Sequence, residues 1–138
     1  MLKLKVVTPD KILVDEVVTS VSLPTVSGMI TVLNKHVPIV ATIKAGEMTV
    51  KREGTGFGFA VYKGLVNVRP HRKGITEVVV MLESADKVDE LDTEKIEQAL
   101  KRAEEMKSEK EEDLDIGRIE STIERELNRV KIARKYRR

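Results

Sequence analysis

The feature that most constrains this chain is a change of hydrophobic period near residues 83–90. Before it, apolar residues alternate with polar ones at a spacing of about two, as strands require; after it they recur at about 3.6, as helices require. Residues 1–90 carry Phe57, Phe59, Tyr62, all four prolines and every glycine except Gly117, whereas more than half of residues 91–138 are charged. A chain of 138 residues suits one small domain with an appendage. The expected fold class is α+β: an N-terminal antiparallel β-sandwich (flattened barrel) over residues 1–86, then a C-terminal two-helix hairpin over residues 91–138.

Within the first part, Leu2, Leu4 and Val6 alternate with Lys3 and Lys5 until Thr8-Pro9-Asp10. Apolar, often β-branched runs follow at 17–23, 29–33, 37–43, 48–50, 57–62, 65–68 and 75–82, bounded by glycine, proline or charged residues. Eight strands at this spacing predict antiparallel pairing, because parallel pairing normally needs crossover helices and none fits between them. Gly54-Thr55-Gly56-Phe57-Gly58 lacks the lysine and the strand-to-helix setting of a phosphate loop, and it reads as a hairpin turn.

In the second part, Ile96, Ala99, Leu100, Ala103 and Met106 form one helical stripe, with Asp92 as N-cap and Glu94 in the first turn. Residues 108–115 are polar and acidic and read as a loop. A second stripe takes Ile116, Ile119, Ile123, Leu127 and Val130; Asp113 and Asp115 precede it, while Lys131, Arg134 and Lys135 lie towards its end, matching the helix dipole. Both stripes are narrow, so a hairpin of two such helices is marginal alone. The stripes can close on each other, on the β-domain or on a partner, which leaves a movable element and a fixed helical cap both open.

Several function classes are disfavoured. There is no cysteine, hence no disulfide and no thiolate metal site. No window approaches the ~20 apolar residues of a membrane span, and the N-terminus lacks the apolar block of a signal peptide. No direct bilayer insertion is expected. His36 and His71 stand outside metal-ligand spacing, and His36 reads as a turn residue before Val37-Pro38. No catalytic set emerges, so a non-enzyme without a bound metal is expected. Arg129, Lys131, Arg134, Lys135, Arg137 and Arg138 face no acidic residue between positions 127 and 138. Such a basic end suits nucleic acid, anionic lipid or an acidic protein surface. Net charge is only +2 and Tyr136 alone could stack a base there, so nucleic acid is not the expected partner.

The order of these features resembles the epsilon-subunit family of bacterial-type F-type ATP synthases along nearly the whole chain. Val6-Val7-Thr8-Pro9-Asp10 is similar to that family's first strand ending. The segment from Ser27-Gly28 through Leu33-Asn34-Lys35-His36-Val37-Pro38 is similar to its Gly-x-x-Gly-Ile-Leu-Pro-Gly-His-x-Pro loop, with Gly46 following, although Asn34-Lys35 replaces Pro-Gly. Gly64-Leu65-Val66-Asn67-Val68-Arg69-Pro70 resembles its Gly-Phe-x-x-Val-x-Pro stretch, and Leu91-Asp92-Thr93-Glu94-Lys95-Ile96, Asp115-Ile116-Gly117-Arg118 and Glu126-Leu127-Asn128-Arg129 resemble its two helices.

The resemblance implies a central-stalk subunit that couples ion translocation through the membrane ring to ATP synthesis. Its sandwich would be a foot between the gamma subunit and the c-ring, with the loop around His36 near those contacts. It would lie at the cytoplasmic face of the bacterial plasma membrane as a peripheral part of the complex. The hairpin would lie folded or extend along gamma, where its basic second helix meets acidic segments of the alpha/beta catalytic subunits and blocks hydrolysis. On that reading the partner-binding residues are His36, Arg118, Arg125, Arg129, Arg134 and Lys135. Some members bind ATP through an Ile/Leu-Asp-x-x-Arg-Ala motif plus later arginines. Here Leu91 and Asp92 match, Lys95 replaces the arginine, Ile96 replaces the alanine, Arg102, Arg125 and Arg129 take the helper positions, and Asp86 stands where glutamate is usual. Lysine lacks the planar fork of arginine, so ATP is expected as a weak regulatory ligand or none, with no cofactor. A free ATP sensor and a basic nucleic-acid-binding domain are the competing readings.

Overall fold

A computed structural model of the chain describes residues 1–70, 72–90, 93–109 and 116–136. They fall into two compact units, Met1–Lys87 and Val88–Arg138. The first holds eight strands: β1 (Leu2–Val7), β2 (Ile12–Val18), β3 (Ser20–Thr25), β4 (Gly28–Val32), β5 (Ile39–Ile43), β6 (Gly46–Arg52), β7 (Thr55–Pro70) and β8 (Thr76–Lys87). They run in the order β2-β1-β8-β7-β5-β3-β4, and β6 bridges β3 and β7. The result is the expected β-sandwich, with Leu2, Leu4, Val6, Val21, Leu23, Val66, Val68, Val78, Val80 and Phe59 in one buried core. Period-two alternation is what sends these side chains inward, each fully buried one contributing about 1.5–3 kcal/mol.

Five details depart from the sequence reading. β1 pairs β8 in parallel, Leu2 opposite Thr76 through Val7 opposite Met81. No crossover helix is needed, because the connection between them is the rest of the sandwich itself. The run at 17–23 is two strands rather than one. The chain leaves its β1 pairing at Val18, turns at Thr19, whose N–H donates to the Lys51 carbonyl (2.8 Å), and enters a β6 pairing at Ser20. Pro24 lies inside β3, not after it; a proline forfeits only its donor, and its carbonyl accepts from the Lys44 amide (3.0 Å). The runs at 57–62 and 65–68 are one strand of 16 residues. Its first half pairs with β6 and its second with β5, bending at Lys63 (φ 44). The turn preceding it is Glu53-Gly54 alone, between paired Arg52 and Thr55, with Gly54 at φ 77; Gly56 and Gly58 belong to β7.

The second unit comprises α1 (Thr93–Glu109) and α2 (Ile116–Tyr136). Ile96 and Ala103 are buried and Ala99 and Leu100 half-buried, as the first stripe requires. The second stripe is turned by one residue: Leu127 is exposed, while Glu126 is buried beside Val130, Ile132 and Ala133. Asp92 and the acidic residues at 110–115 lie outside the described residues. Helix α1 runs on to Glu109, past the residue where the loop was expected to begin. Glu97, near the start of α1, pairs with Arg134, near the end of α2, so the helices run antiparallel.

Candidate functional site

The segment joining β4 to β5 is the most distinctive surface of the first unit. His36 N–H donates to the Leu33 carbonyl (3.1 Å), closing a turn whose third residue, Lys35, is left-handed at φ 68. Proline followed by glycine is the favoured central pair for such geometry, and that is the pair in the family pattern that Asn34-Lys35 replaces. A non-glycine residue here costs about 1 kcal/mol.

Two long-range hydrogen bonds hold the turn in place. The Lys35 amide donates to Thr76 Oγ1 (2.6 Å), and the Thr76 amide donates to Asn34 Oδ1 (3.1 Å). Thr76 is only 3% exposed, so water competes little for either bond. At roughly 1 kcal/mol each, the pair offsets the strain at Lys35. The His36 ring Nδ1 donates to the Val37 carbonyl (2.7 Å), so this ring braces the loop from within. Around the clasp, Leu33 is 55% exposed, Val37 66% and Ile75 38%. A hydrogen-bonded turn with apolar side chains presented to solvent makes this segment the candidate partner surface of the first unit.

The second candidate surface is the basic end of α2. Arg134 and Lys135 are exposed in its last turn, with Arg134 engaged by Glu97. Arg125 and Arg129 point elsewhere. Arg129 donates to Glu126 Oε1 at 2.7 Å, and Arg125 stands 3.6 Å from the same oxygen. The two arginines thus converge on one buried carboxylate, which no apolar-stripe argument foresaw. Arg118 falls in the first turn of α2.

The residues proposed for nucleotide binding are distributed as follows. Asp86 is half-buried in β8, opposite Ala60, in the first unit. Lys95 and Arg102 are exposed on α1, two turns apart on one face, in the second unit together with Arg125 and Arg129. Asp92 lies outside the described residues. Of the set, the structure brings Arg125 and Arg129 together, around Glu126. Sequence reasoning singled out His36 in this segment, and did not single out Thr76 or the exposed Leu33, Val37 and Ile75. Apolar residues flanking a turn were the available signal for Leu33 and Val37; none marked Thr76.

Comparison with known proteins agrees with this architecture. The model of the beta-sandwich domain of the ATP synthase delta/epsilon chain matches residues 1–85. The ATP synthase epsilon chain of Desulforamulus reducens is 31% identical over 131 residues, covering 95% of this chain and 96% of that one. That of Bacillus licheniformis is 34% identical over 133 residues, covering 96% and 98%. Among solved structures, a chain of the Euglena gracilis mitochondrial ATP synthase superposes with a TM-score of 0.71 at 21% identity, covering 98% of this chain and 81% of that one. At that identity the likeness is one of fold.

Proposed function

Because this chain belongs to the ATP synthase epsilon family, we propose that it is the non-catalytic epsilon subunit of a rotary ATP synthase central stalk. Its sandwich sits between the gamma subunit and the membrane c-ring. There it couples ion translocation through the ring to ATP synthesis in the catalytic alpha/beta subunits. The observation that carries the docking part of the reading is the exposed apolar tip of Leu33 and Val37, whose turn is hydrogen-bonded to Thr76. A stalk foot must transmit torque, so its contact loop has to be ordered once docked, and a loop already ordered in the free subunit docks at a lower entropic cost. No described helix is long and apolar enough to cross a membrane; the subunit reaches the cytoplasmic face of the bacterial plasma membrane through its partners.

The hairpin acts as a brake on hydrolysis. Among its described residues, few large side chains are buried, chiefly Ile96, Val130 and Ile132, and a unit held by so few lies at the low-stability end of a structure. Opening costs little, and it frees Arg134 and Lys135 to meet acidic segments of the catalytic subunits. Arg118, Arg125 and Arg129 travel with the same helix. Arg125 and Arg129 carry their counter-charge, Glu126, with them, because all three lie on α2. That internal pairing and the Lys95 replacement support weak ATP binding at most.

The decisive experiment is ATP hydrolysis by an epsilon-depleted catalytic complex, given either the full chain or a chain ending at Glu90. The expected result is inhibition by the full chain alone, with both forms binding. If both bind and neither inhibits, the brake is refuted while the stalk role stands. If neither binds a matched complex, the stalk role fails as well.

A further inference from the structure

We infer that Asn34 and Thr76 are positioning residues for ring docking: they hold the Leu33–Val37 tip in its bound shape before the partner arrives. The inference rests on the reading of that tip as the ring contact. Thr76 is the first residue of β8 and is fixed from several sides. It lies opposite Leu2 in β1 and Pro70 in β7, and it is almost fully buried. It is therefore a fixed point of the sandwich, while the loop of Asn34 and Lys35 is not part of any strand.

The two bonds are reciprocal. The amide of Lys35 reaches the Thr76 side chain, and the amide of Thr76 reaches the Asn34 side chain. Together they span both central residues of the turn and tie it to a strand more than forty residues away in sequence. Lys35 prefers a right-handed or extended backbone, so the clasp selects its left-handed conformation (φ 68). Without the clasp the turn relaxes and the apolar side chains at 33 and 37 sample many orientations. Docking then has to order them, which weakens binding without removing any contact atom. In a sequence whose turn is proline-glycine the backbone supplies this order locally; here side chains supply it from a distance.

The test uses the full chain and purified c-ring in detergent, with affinity measured for paired variants. Thr76→Val removes the hydroxyl at nearly constant shape, and Asn34→Ala removes the amide oxygen from a half-buried position. Each is expected to weaken ring binding about five- to tenfold. Thr76→Ser and Asn34→Asp, which keep the acceptor oxygens, are expected to restore it. Amide hydrogen exchange at Lys35 is expected to quicken in Thr76→Val while exchange in the β1 and β7 core stays slow. Faster loop exchange with unchanged affinity overturns the inference, as does failure of both conservative variants to restore binding. Should Thr76→Val unfold the sandwich, Asn34→Ala carries the test alone. Val37→Asp separates the underlying reading: if it binds the ring normally, the tip is not the contact and the inference falls with it. If Val37→Asp abolishes binding while Asn34→Ala and Thr76→Val do not weaken it, the contact stands and the positioning role is refuted.

Discussion

Replacing Gly64 by alanine tests a close approach of two strands within the sandwich. Gly64 follows the bend at Lys63 and is paired on one side with Ile43 and on the other with Leu82. A Cβ at this position would stand 2.1 Å from the Met81 carbonyl oxygen, 2.9 Å from Leu82 Cδ2 and 3.0 Å from Leu82 Cα. The Leu82 methyl could swing aside; the Met81 oxygen is main chain and has no rotamer to escape into. Relief requires β7 and β8 to part, stretching ladder bonds on both sides of the bend. The cost should sit at the upper end of overpacking, about 3 kcal/mol. Gly54→Ala is the control: its Cβ enters open space, but its φ is 77, so only backbone strain of about 1 kcal/mol applies. Urea unfolding followed through the NMR methyl signals of Val66 and Val80 reports on the sandwich without interference from the helices. With a slope of about 1.5 kcal/mol per molar for a domain of this size, Gly64→Ala should lower the midpoint by about 2 M. If it lowers stability no more than Gly54→Ala does, the close approach of the two strands is not what excludes a side chain here.

Two further outcomes follow from the second unit. Arg134 and Glu97 are both well exposed (64% and 45% of their side chains), so Arg134→Ala should cost the hairpin no more than about 0.5 kcal/mol, an effect that fades at high salt. Val130→Ala, at a buried site, should cost about 2 kcal/mol at any salt. Melts of the helical circular dichroism signal at two ionic strengths distinguish them, and a larger loss for Arg134→Ala would mean that charge rather than apolar contact holds the hairpin. Calorimetric titration with ATP should give weak binding or none, because Arg125 and Arg129 are already drawn to Glu126; a micromolar constant would refute that reasoning.

The fold was legible where chemistry is written in neighbouring residues. Alternation from Leu2 to Val6 marked β1, and the loss of alternation marked the start of the helices. It was not legible where the same residue types serve two ends. Lys63-Gly64 looks like a turn between strands but is a bend within β7, since a left-handed residue can reverse a chain or merely redirect it. Thr19 switches the chain from one pairing partner to another with no glycine or proline to announce it. The parallel β1–β8 pair joins the two ends of the domain, and no local pattern encodes it. At the tip, the turn at Asn34-Lys35 was visible through its likeness to a family loop. The hydroxyl that fixes it belongs to Thr76, and nothing around Thr76 announces that it closes a distant turn.

The shift of the α2 stripe follows a rule that sequence reading can use. After Ile123, a period of 3.6 allows the inward position to fall at 126 or 127, and hydrophobicity alone chooses Leu127 over Glu126. The folded helix chooses the opposite. Burying a lone carboxylate is prohibitive, but Glu126 has Arg129 one turn ahead and Arg125 beside it, so its charge enters already compensated. The compensation is local, within one helix, and is written in the sequence as Arg-Glu-x-x-Arg. Where such a pattern straddles an ambiguous stripe position, the acid merits equal weight with the neighbouring leucine. Leu127, left 51% exposed, then becomes the residue to explain.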